Sequence, residues 1–457
     1  MVYITYALLL SAFAASSSMS VRDINAPLND KSNTVILISI DGFAQDYFKL
    51  GLTPNIANLG KSGIFPEYML PVFPTITFPN HYSIATGLYP ENHGIVGNTF
   101  YSERLNDTFD HKFPSSYDSK WWGGEPIWIT AEKNNLVSIV DQFPGGETEI
   151  LGYRPTYHYP YNGSVTQIEK MDRLVECLKL PAAQRPALLV SYFPEVDSVG
   201  HNFSPFSKEI NDTLVKTDAS IKYLVDKLKS ENLFDKLNLV IVSDHGMERS
   251  TIPRDYIYVD YLLLEANLKL LKNSRKYKHL NLKPVKEKIL AVHQSSHSSI
   301  YPAYDKDIMP IYKKLKMVED KTKFNVYLKK DIPEHYIYKY NDRIAPIYII
   351  ANEPYMMRYN ETLYNSPGLS RDPYELENTK DSVDVPYGAH GFDNDYQNMR
   401  AIFVAHGPAF KSPKVPTSST NFPAIGSIDV YNVLAKLLKV PPARNDGNST
   451  IISQMVI

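Results

Sequence analysis

Hydrophobic residues follow two alternating rhythms along this chain. Val35-Ile-Leu-Ile-Ser-Ile is an almost unbroken apolar run that stops at Asp41-Gly42. Leu188-Leu-Val-Ser-Tyr-Phe repeats the pattern, and so does Leu237-Asn-Leu-Val-Ile-Val-Ser, which stops at Asp244-His245-Gly246. Runs of this kind read as strands buried on both faces, the habit of parallel sheets. Ile402-Phe-Val-Ala is a shorter strand candidate, and helical spacing intervenes, for example around 209–230. Strands alternating with helices predict an α/β fold with a central, mostly parallel sheet and helices on both faces. Ligands of such sheets gather beyond the carboxyl ends of the strands, which is where Asp41, Asp197, Asp244 and His245 fall.

The rhythm weakens between about 265 and 345, a stretch rich in Lys and Tyr. Its basic run, Lys269, Lys272, Arg275, Lys276 and Lys278, reads as a solvated face. This stretch is expected to be a less regular insertion within one catalytic domain spanning about 30–440. Residues 363–386, polar and proline-containing, read as a surface loop, and 441–457 as a tail. At the other end, Tyr6 to Ala15 is a short apolar run with a small-residue site at Ala12-Phe13-Ala14. That pattern predicts a secretory signal over 1–20, and the run is too short to span a bilayer.

Export changes how other features read. Six Asn-x-Ser/Thr triplets, at Asn106, Asn162, Asn202, Asn211, Asn360 and Asn448, become candidate glycosylation sites of an extracellular protein. The single cysteine, Cys177, rules out an intrachain disulfide and reads as a core thiol on a helix. With 43% hydrophobic and 21% charged residues, the 457-residue chain can bury a substantial core. A net charge of −2 gives no general attraction for nucleic acid or an anionic membrane. No polymeric nucleic acid partner is therefore expected, and phosphate binding must come from a local site.

Four clusters carry the chemistry: Ser39-Ile-Asp41-Gly42, Asp197-Ser-Val-Gly-His201, Ser243-Asp244-His245-Gly246, and Gly388-Ala-His390-Gly391-Phe-Asp393-Asn394. Any one of them has an ordinary structural explanation, since a strand-terminal Asp is often a helix cap. Together they offer three Asp and three His, the ligand types zinc takes in hydrolases, enough for two ions with positions left open. A fifth segment, Phe73-Pro-Thr75-Ile-Thr77-Phe-Pro-Asn80-His81-Tyr, offers a hydroxyl nucleophile. Thr75 and Thr77 share a face in extended backbone, and chemistry alone does not choose between them.

The motifs Thr-x-Thr-Phe-Pro-Asn-His-Tyr, Gly87-Leu-Tyr-Pro-Glu-Asn-His-Gly-Ile, Glu125-Pro-Ile-Trp-Ile-Thr, Ser-Asp-His-Gly-Met and Gly-x-His-Gly-x-Asp-Asn resemble the ectonucleotide pyrophosphatase/phosphodiesterase family of the alkaline phosphatase superfamily. The likeness covers most of 33–260 and 385–440, and the chain is similar to the short members that hold only the catalytic domain. The resemblance implies an alkaline-phosphatase-like fold and two zinc ions. One would be held by Asp197, His201 and His390. The other would be held by Asp41, Asp244 and His245, and would also contact Thr77. It implies Thr77 as nucleophile, Asn98 on a phosphate oxygen, and Phe78 and Tyr161 sandwiching a nucleobase. The expected substrate is a small nucleotide phosphodiester or pyrophosphate, cleaved to a 5′-monophosphate through a covalent threonine intermediate. Where many members have Trp-Pro-Gly, this chain has Phe143-Pro144-Gly145, so one pocket wall is expected to differ. A choline-type lipid phosphodiesterase using the same site is the alternative, although no cage for a trimethylammonium group can be found. A non-catalytic binding protein would not need the full ligand set.

Overall fold

The computed structural model describes residues 33–266, 269–270, 288–358, 384–411, 413 and 419–457. The signal segment 1–20, Asn360, Lys272, Arg275, Lys276, Lys278 and most of 363–386 lie outside the described residues. Asn106, Asn162, Asn202 and Asn448 are exposed, and Asn211 is half-buried.

The apolar runs form the expected strands. In chain order the elements that position the site are β1 (Val35–Ile40), α1 (Pro54–Lys61), α2 (Thr77–Thr86), α3 (Ile127–Lys133), β2 (Ser138–Asp141), β3 (Tyr157–Tyr159), α4 (Gln167–Leu178) and β4 (Leu188–Phe193). There follow α5 (Glu195–Phe203), α6 (Lys208–Ser230), β5 (Asn238–Val242), β6 (Glu248–Ile252), β7 (Lys269–Leu270), β8 (Lys288–Gln294) and β9 (His297–Pro302). The last are α7 (Ile308–Met317), β10 (Phe324–Leu328), β11 (Ile347–Ala351), β12 (Val385–Ala389), β13 (Phe403–His406), α8 (Asp429–Leu438) and α9 (Ser449–Met455).

The main sheet has the order β13-β5-β1-β4-β2-β3. Its pairs are parallel except that β13 runs antiparallel to β5 at the edge. β1 alternates between two buried faces. Ile36, Ile38 and Ile40 pack with Ile56, Leu59, Leu174, Leu214 and Ile221 from α1, α4 and α6. Val35 and Leu37 share the opposite core with Tyr82, Trp128 and Val430 from α2, α3 and α8. Apolar residues on both faces are what made the run continuous in sequence. Cys177 is half-buried against the first of these cores, and burial pushes its thiol up to about 11.

The described residues between about 265 and 345 have more order than the weak periodicity foretold. β7 to β11 form a second sheet, ordered β7-β8-β9-β11-β10, with a core of its own that includes Ile311 and Leu315 from α7. β10, Phe324–Leu328, alternates buried and half-buried positions, so no continuous apolar run marks it. Residues 441–457 also depart from the expected tail. Asn448 caps α9, and Ile452, Met455 and Val456 are buried in the main core. The stretch is polar overall, and its three core contacts sit at helical spacing too short to register as a pattern.

His93, from the Gly-Leu-Tyr-Pro-Glu-Asn-His run, is fully buried. Its Nδ1 accepts from the Ile95 amide at 3.1 Å, so the proton sits on Nε2, 2.9 Å from the Ser83 hydroxyl. Burial, with a smaller push from Arg343, lowers its pKa to about 3. The unfolded imidazole binds a proton near 6.5 and the folded one does not, so this stabilisation is complete above about 6.5 and is lost as pH falls toward 3. The expected slope approaches about 1.4 kcal/mol per pH unit in that window. Denaturant melts at pH 4.5 and 7.5 should show a smaller acid loss for His93→Asn than for the wild type. Equal losses would remove His93 as the cause.

Candidate active site and metal centre

Register brings the site together. Val35 to Ile40 pair with Leu188 to Phe193, and Val35 to Ser39 with Asn238 to Val242, so β1, β4 and β5 end at one level. Asp41 follows β1 directly, Asp244 and His245 follow β5, and Asp197 and His201 sit one turn apart on α5 just after β4. Gly42 allows the closest approach. Its φ is +66°, and a Cβ there would lie 2.9 Å from the Cα of Asp197. The Gly42 amide donates to Asp244 Oδ1 at 3.1 Å. His390 arrives on the loop after β12, whose partner strand is β6.

The six carboxylate and imidazole heads converge in two overlapping sets. Asp197 Oδ1 lies 3.4 Å from His201 Nε2 and 3.6 Å from His390 Nε2, and these two nitrogens are 3.0 Å apart. His245 Nε2 lies 3.0 Å from Asp244 Oδ2 and 3.6 Å from Asp41 Oδ1. The His245 and His390 rings stack at 3.7 Å and join the sets. Asp197, His245 and His390 are also close enough to share one ion.

Backbone carbonyls fix the tautomers. His201 Nδ1 donates to Gly388 O at 2.7 Å, His245 Nδ1 to Gly246 O at 2.9 Å, and His390 Nδ1 to Thr75 O at 2.8 Å. A carbonyl can only accept, so each Nε2 lone pair faces the centre. Asp41 Oδ1, Asp197 Oδ1, Asp244 Oδ2 and His245 Nε2 are buried without a hydrogen-bond partner. Burial, then Asp244 and Asp197, pushes the Asp41 carboxyl well up. Burial, then His245 and His201, pushes His390 well down. Burial also works to raise Asp244, but His245 and His81 override it and hold that carboxyl well below its usual range. Orphaned acceptors crowded in this way fit divalent cations, which supply the missing partner for all of them.

The two threonines separate. Thr75 is 0% exposed, and its hydroxyl donates to Phe392 O at 3.0 Å while accepting from the Gly391 amide at 2.9 Å. Thr77 is half-buried at the first position of α2. His81, one turn on, donates from Nδ1 to the Thr77 carbonyl at 2.9 Å, with Asp244 Oδ2 at 3.3 Å, and its Nε2 lies 2.8 Å from Ser39 Oγ. With its Nδ1 proton on the Thr77 carbonyl and Asp244 beside it, His81 links the Asp244 side of the cluster to the loop that carries Thr77. Asn80 holds the same loop, its amide bonding to Val72, Pro74 and Ile76.

Asn98 Oδ1 accepts from the Phe78 amide at 2.9 Å, which leaves the Asn98 NH2 group as its donor. Phe78 is half-buried beside His111, with ring centres 5.1 Å apart. Tyr161 is 56% exposed, 6.4 Å from the Tyr192 ring. Partial burial, then Glu195, Asp41 and Asp197, raises its hydroxyl pKa, which places it near the carboxylates. Phe143 is fully buried, edge-on to His81 at 5.0 Å, so it packs behind the site. Sequence reasoning missed His81, Asn80 and Tyr192. Tyr192 sits within the apolar run of β4, and its hydroxyl donates to Asp41 Oδ2.

An alkaline-phosphatase-like sheet whose carboxyl edge gathers these carboxylates and imidazoles defines a metal-dependent hydrolase. The family model described as type I phosphodiesterase / nucleotide pyrophosphatase matches residues 35–393, and the chain belongs to that family. It is 36% identical to an uncharacterized pyrophosphatase/phosphodiesterase of Schizosaccharomyces pombe over 93% of this chain and 80% of that protein. It is 32% identical to human ectonucleotide pyrophosphatase/phosphodiesterase family member 1 over 96% of this chain and 43% of that protein. With the venom phosphodiesterase of Macrovipera lebetinus it shares 33% identity over 97% of this chain and 47% of that protein. The chain thus spans less than half the length of the last two. The solved structure of an inactive variant of murine ectonucleotide pyrophosphatase/phosphodiesterase 5, in complex with AMP, superposes with a TM-score of 0.76 at 30% identity. That match covers 93% of this chain and all of the murine one. No helix of the described residues is long and apolar enough to cross a membrane.

Gly42→Ala tests the packing that brings Asp197 to Asp41. A left-handed φ costs a non-glycine residue roughly 1–2 kcal/mol, and the added Cβ meets the Asp197 backbone. The variant should melt earlier and retain less divalent metal after dialysis. Metal content equal to wild type would show that this contact does not set the ligand geometry.

Proposed function

We propose that this protein hydrolyses nucleotide phosphodiester and pyrophosphate bonds, releasing nucleoside 5′-monophosphates, with Thr77 as nucleophile and two zinc ions as cofactors. The observation that carries the reading is the convergence of six carboxylate and imidazole heads, four of them buried, with His81 joining Asp244 to the carbonyl of Thr77, whose half-buried side chain is free of the bonds that occupy Thr75. Asp197, His201 and His390 would hold one ion, and Asp41, Asp244 and His245 the other. Bound there, the ions supply Lewis-acid charge that favours the threonine alkoxide and a departing oxygen.

The chain's own groups do the rest. Thr77 Oγ attacks phosphorus as the bond to the leaving oxygen breaks, giving a threonine–phosphoryl ester that water then hydrolyses. The N-terminal end of α2 favours negative charge at Thr77 and on the transferring group. The Asn98 NH2 donates to a phosphoryl oxygen on which charge develops. His81 steadies Asp244 and the Thr77 carbonyl together. Phe78 and Tyr161 stack on the base and supply binding energy remote from phosphorus. The AMP held by the murine relative supports a nucleotide product. The expected secretory signal and the exposed sequons support an extracellular, glycosylated enzyme, in keeping with the venom and ectoenzyme relatives.

The test is hydrolysis of the nitrophenyl ester of thymidine monophosphate, with and without chelator and zinc add-back. Thr77→Ala should lose on the order of 10⁴-fold or more in kcat, and Asn98→Ala roughly 10²- to 10³-fold. A nucleoside monophosphate should inhibit and phosphocholine should not. Thr77→Ala within tenfold of wild type would sink the nucleophile assignment. Inhibition by phosphocholine alone would move the substrate to choline esters.

A further inference from the structure

Thr75, the threonine left without a role in the reaction, makes three bonds to one short turn. Its carbonyl accepts from His390 Nδ1 at 2.8 Å, its hydroxyl accepts from the Gly391 amide at 2.9 Å, and the same hydroxyl donates to Phe392 O at 3.0 Å. Thr75 and His390 are almost fully buried, and so is the turn between Ile76 and the β8–β9 hairpin. Gly391 has φ +98°, and a Cβ there would meet Ser296 Oγ at 2.9 Å and Ile76 Cγ1 at 3.2 Å, so the turn has no slack. The hairpin closes it from the other side, Ser295 Oγ donating to His390 O.

We infer that Thr75 is a positioning residue for His390, and that its hydroxyl fixes the turn that carries this ligand of the metal centre. The carbonyl keeps the proton on Nδ1, and so keeps the Nε2 lone pair on the side of Asp197 and His201. The hydroxyl keeps the carbonyl in place, because it fastens the two residues after His390 to the same residue that holds the ring. A side chain of the same shape without the hydroxyl would leave a buried amide and a buried carbonyl unpaired, and the turn would shift to recover them. The inference rests on His390 as a metal ligand, which belongs to the function proposed above.

The experiment compares Thr75→Val and Thr75→Ser with the wild type. Zinc affinity is measured by competition with a chromogenic chelator, alongside kcat and KM on the nitrophenyl ester and a thermal melt. Thr75→Val is expected to bind zinc roughly 10- to 100-fold more weakly, with kcat largely restored once zinc is in excess. Thr75→Ser keeps the hydroxyl and should bind zinc as the wild type does. Wild-type zinc affinity in a folded Thr75→Val would overturn the inference. A kcat that stays low in fully metal-loaded Thr75→Val would also overturn it, since the residue would then act on the chemistry itself. If Thr75→Val does not fold, Thr75→Ser decides: zinc loss with the hydroxyl retained would overturn the role given to that hydroxyl. Weakened zinc binding in Thr75→Val beside a wild type inactive on every phosphodiester would leave this inference standing and remove the proposed function.

Discussion

Everything at this centre follows from burying more charge than the protein itself can satisfy. Asp41, Asp244, His245 and His390 are each nine-tenths or more buried, the first three just beyond the adjacent strands β1 and β5, and four of the facing atoms in the cluster have no hydrogen-bond partner. An ionised carboxylate in such a place costs several kcal/mol unless something of opposite sign meets it. The two His–Asp contacts of Asp244 meet part of that cost, which is why its carboxyl stays acidic while Asp41, with only Tyr192 to oppose burial, does not. Cations meet the remainder. The sheet has therefore been built to be incomplete alone, and the rest of the architecture keeps that incompleteness in a fixed shape.

The device that does so is the backbone carbonyl. Each of His201, His245 and His390, and also His81, points Nδ1 at a main-chain oxygen, whether of Gly388, Gly246, Thr75 or Thr77. Carbonyls have no tautomers and little freedom, so they set ring orientation and proton position at once. The glycines at these turns serve the same end. A Cβ on Gly388 would lie 2.3 Å from Gly200 O, and one on Gly246 2.0 Å from Asn398 O. The chain must come this close to itself for carbonyls to reach the imidazoles.

The sequence makes part of this legible, and the limit has a physical origin. β1, β4 and β5 announce themselves because parallel strands are apolar on both faces, and the polar residue that ends each run must then be the sheet's edge. Asp197 and His201 are readable as a pair because four residues make one helical turn. The choice between Thr75 and Thr77 was not readable, because the hydroxyl that is consumed is consumed by residues more than 300 positions away. Tyr192 was hidden for the opposite reason. It sits in a run so apolar that its ring looked like core, which it is, and only the hydroxyl at its tip matters to Asp41. The helix at the C-terminus was missed because its buried residues are too few to form a period, although Asn448 supplies an ordinary cap.

Two features bear on the chemistry through packing: the second sheet, which sequence set apart from it, and Phe143, which sequence placed in a pocket wall. The second sheet reaches the centre through the Ser295-Ser296 turn between β8 and β9, which presses on the His390 loop from outside. A hairpin braced by its own hydrophobic core is a stiffer support there than a loop would be, since moving the turn means moving β8, β9 and β11 with it. The Phe143 substitution acts in a similar manner. Lying edge-on to His81 and against Trp128, it packs behind the imidazole that stands between Ser39 and the Thr77 carbonyl, and it is buried rather than lining the open site. A change of aromatic residue at that position therefore bears on the packing behind His81 and the Thr77 loop before it bears on the shape of the open site.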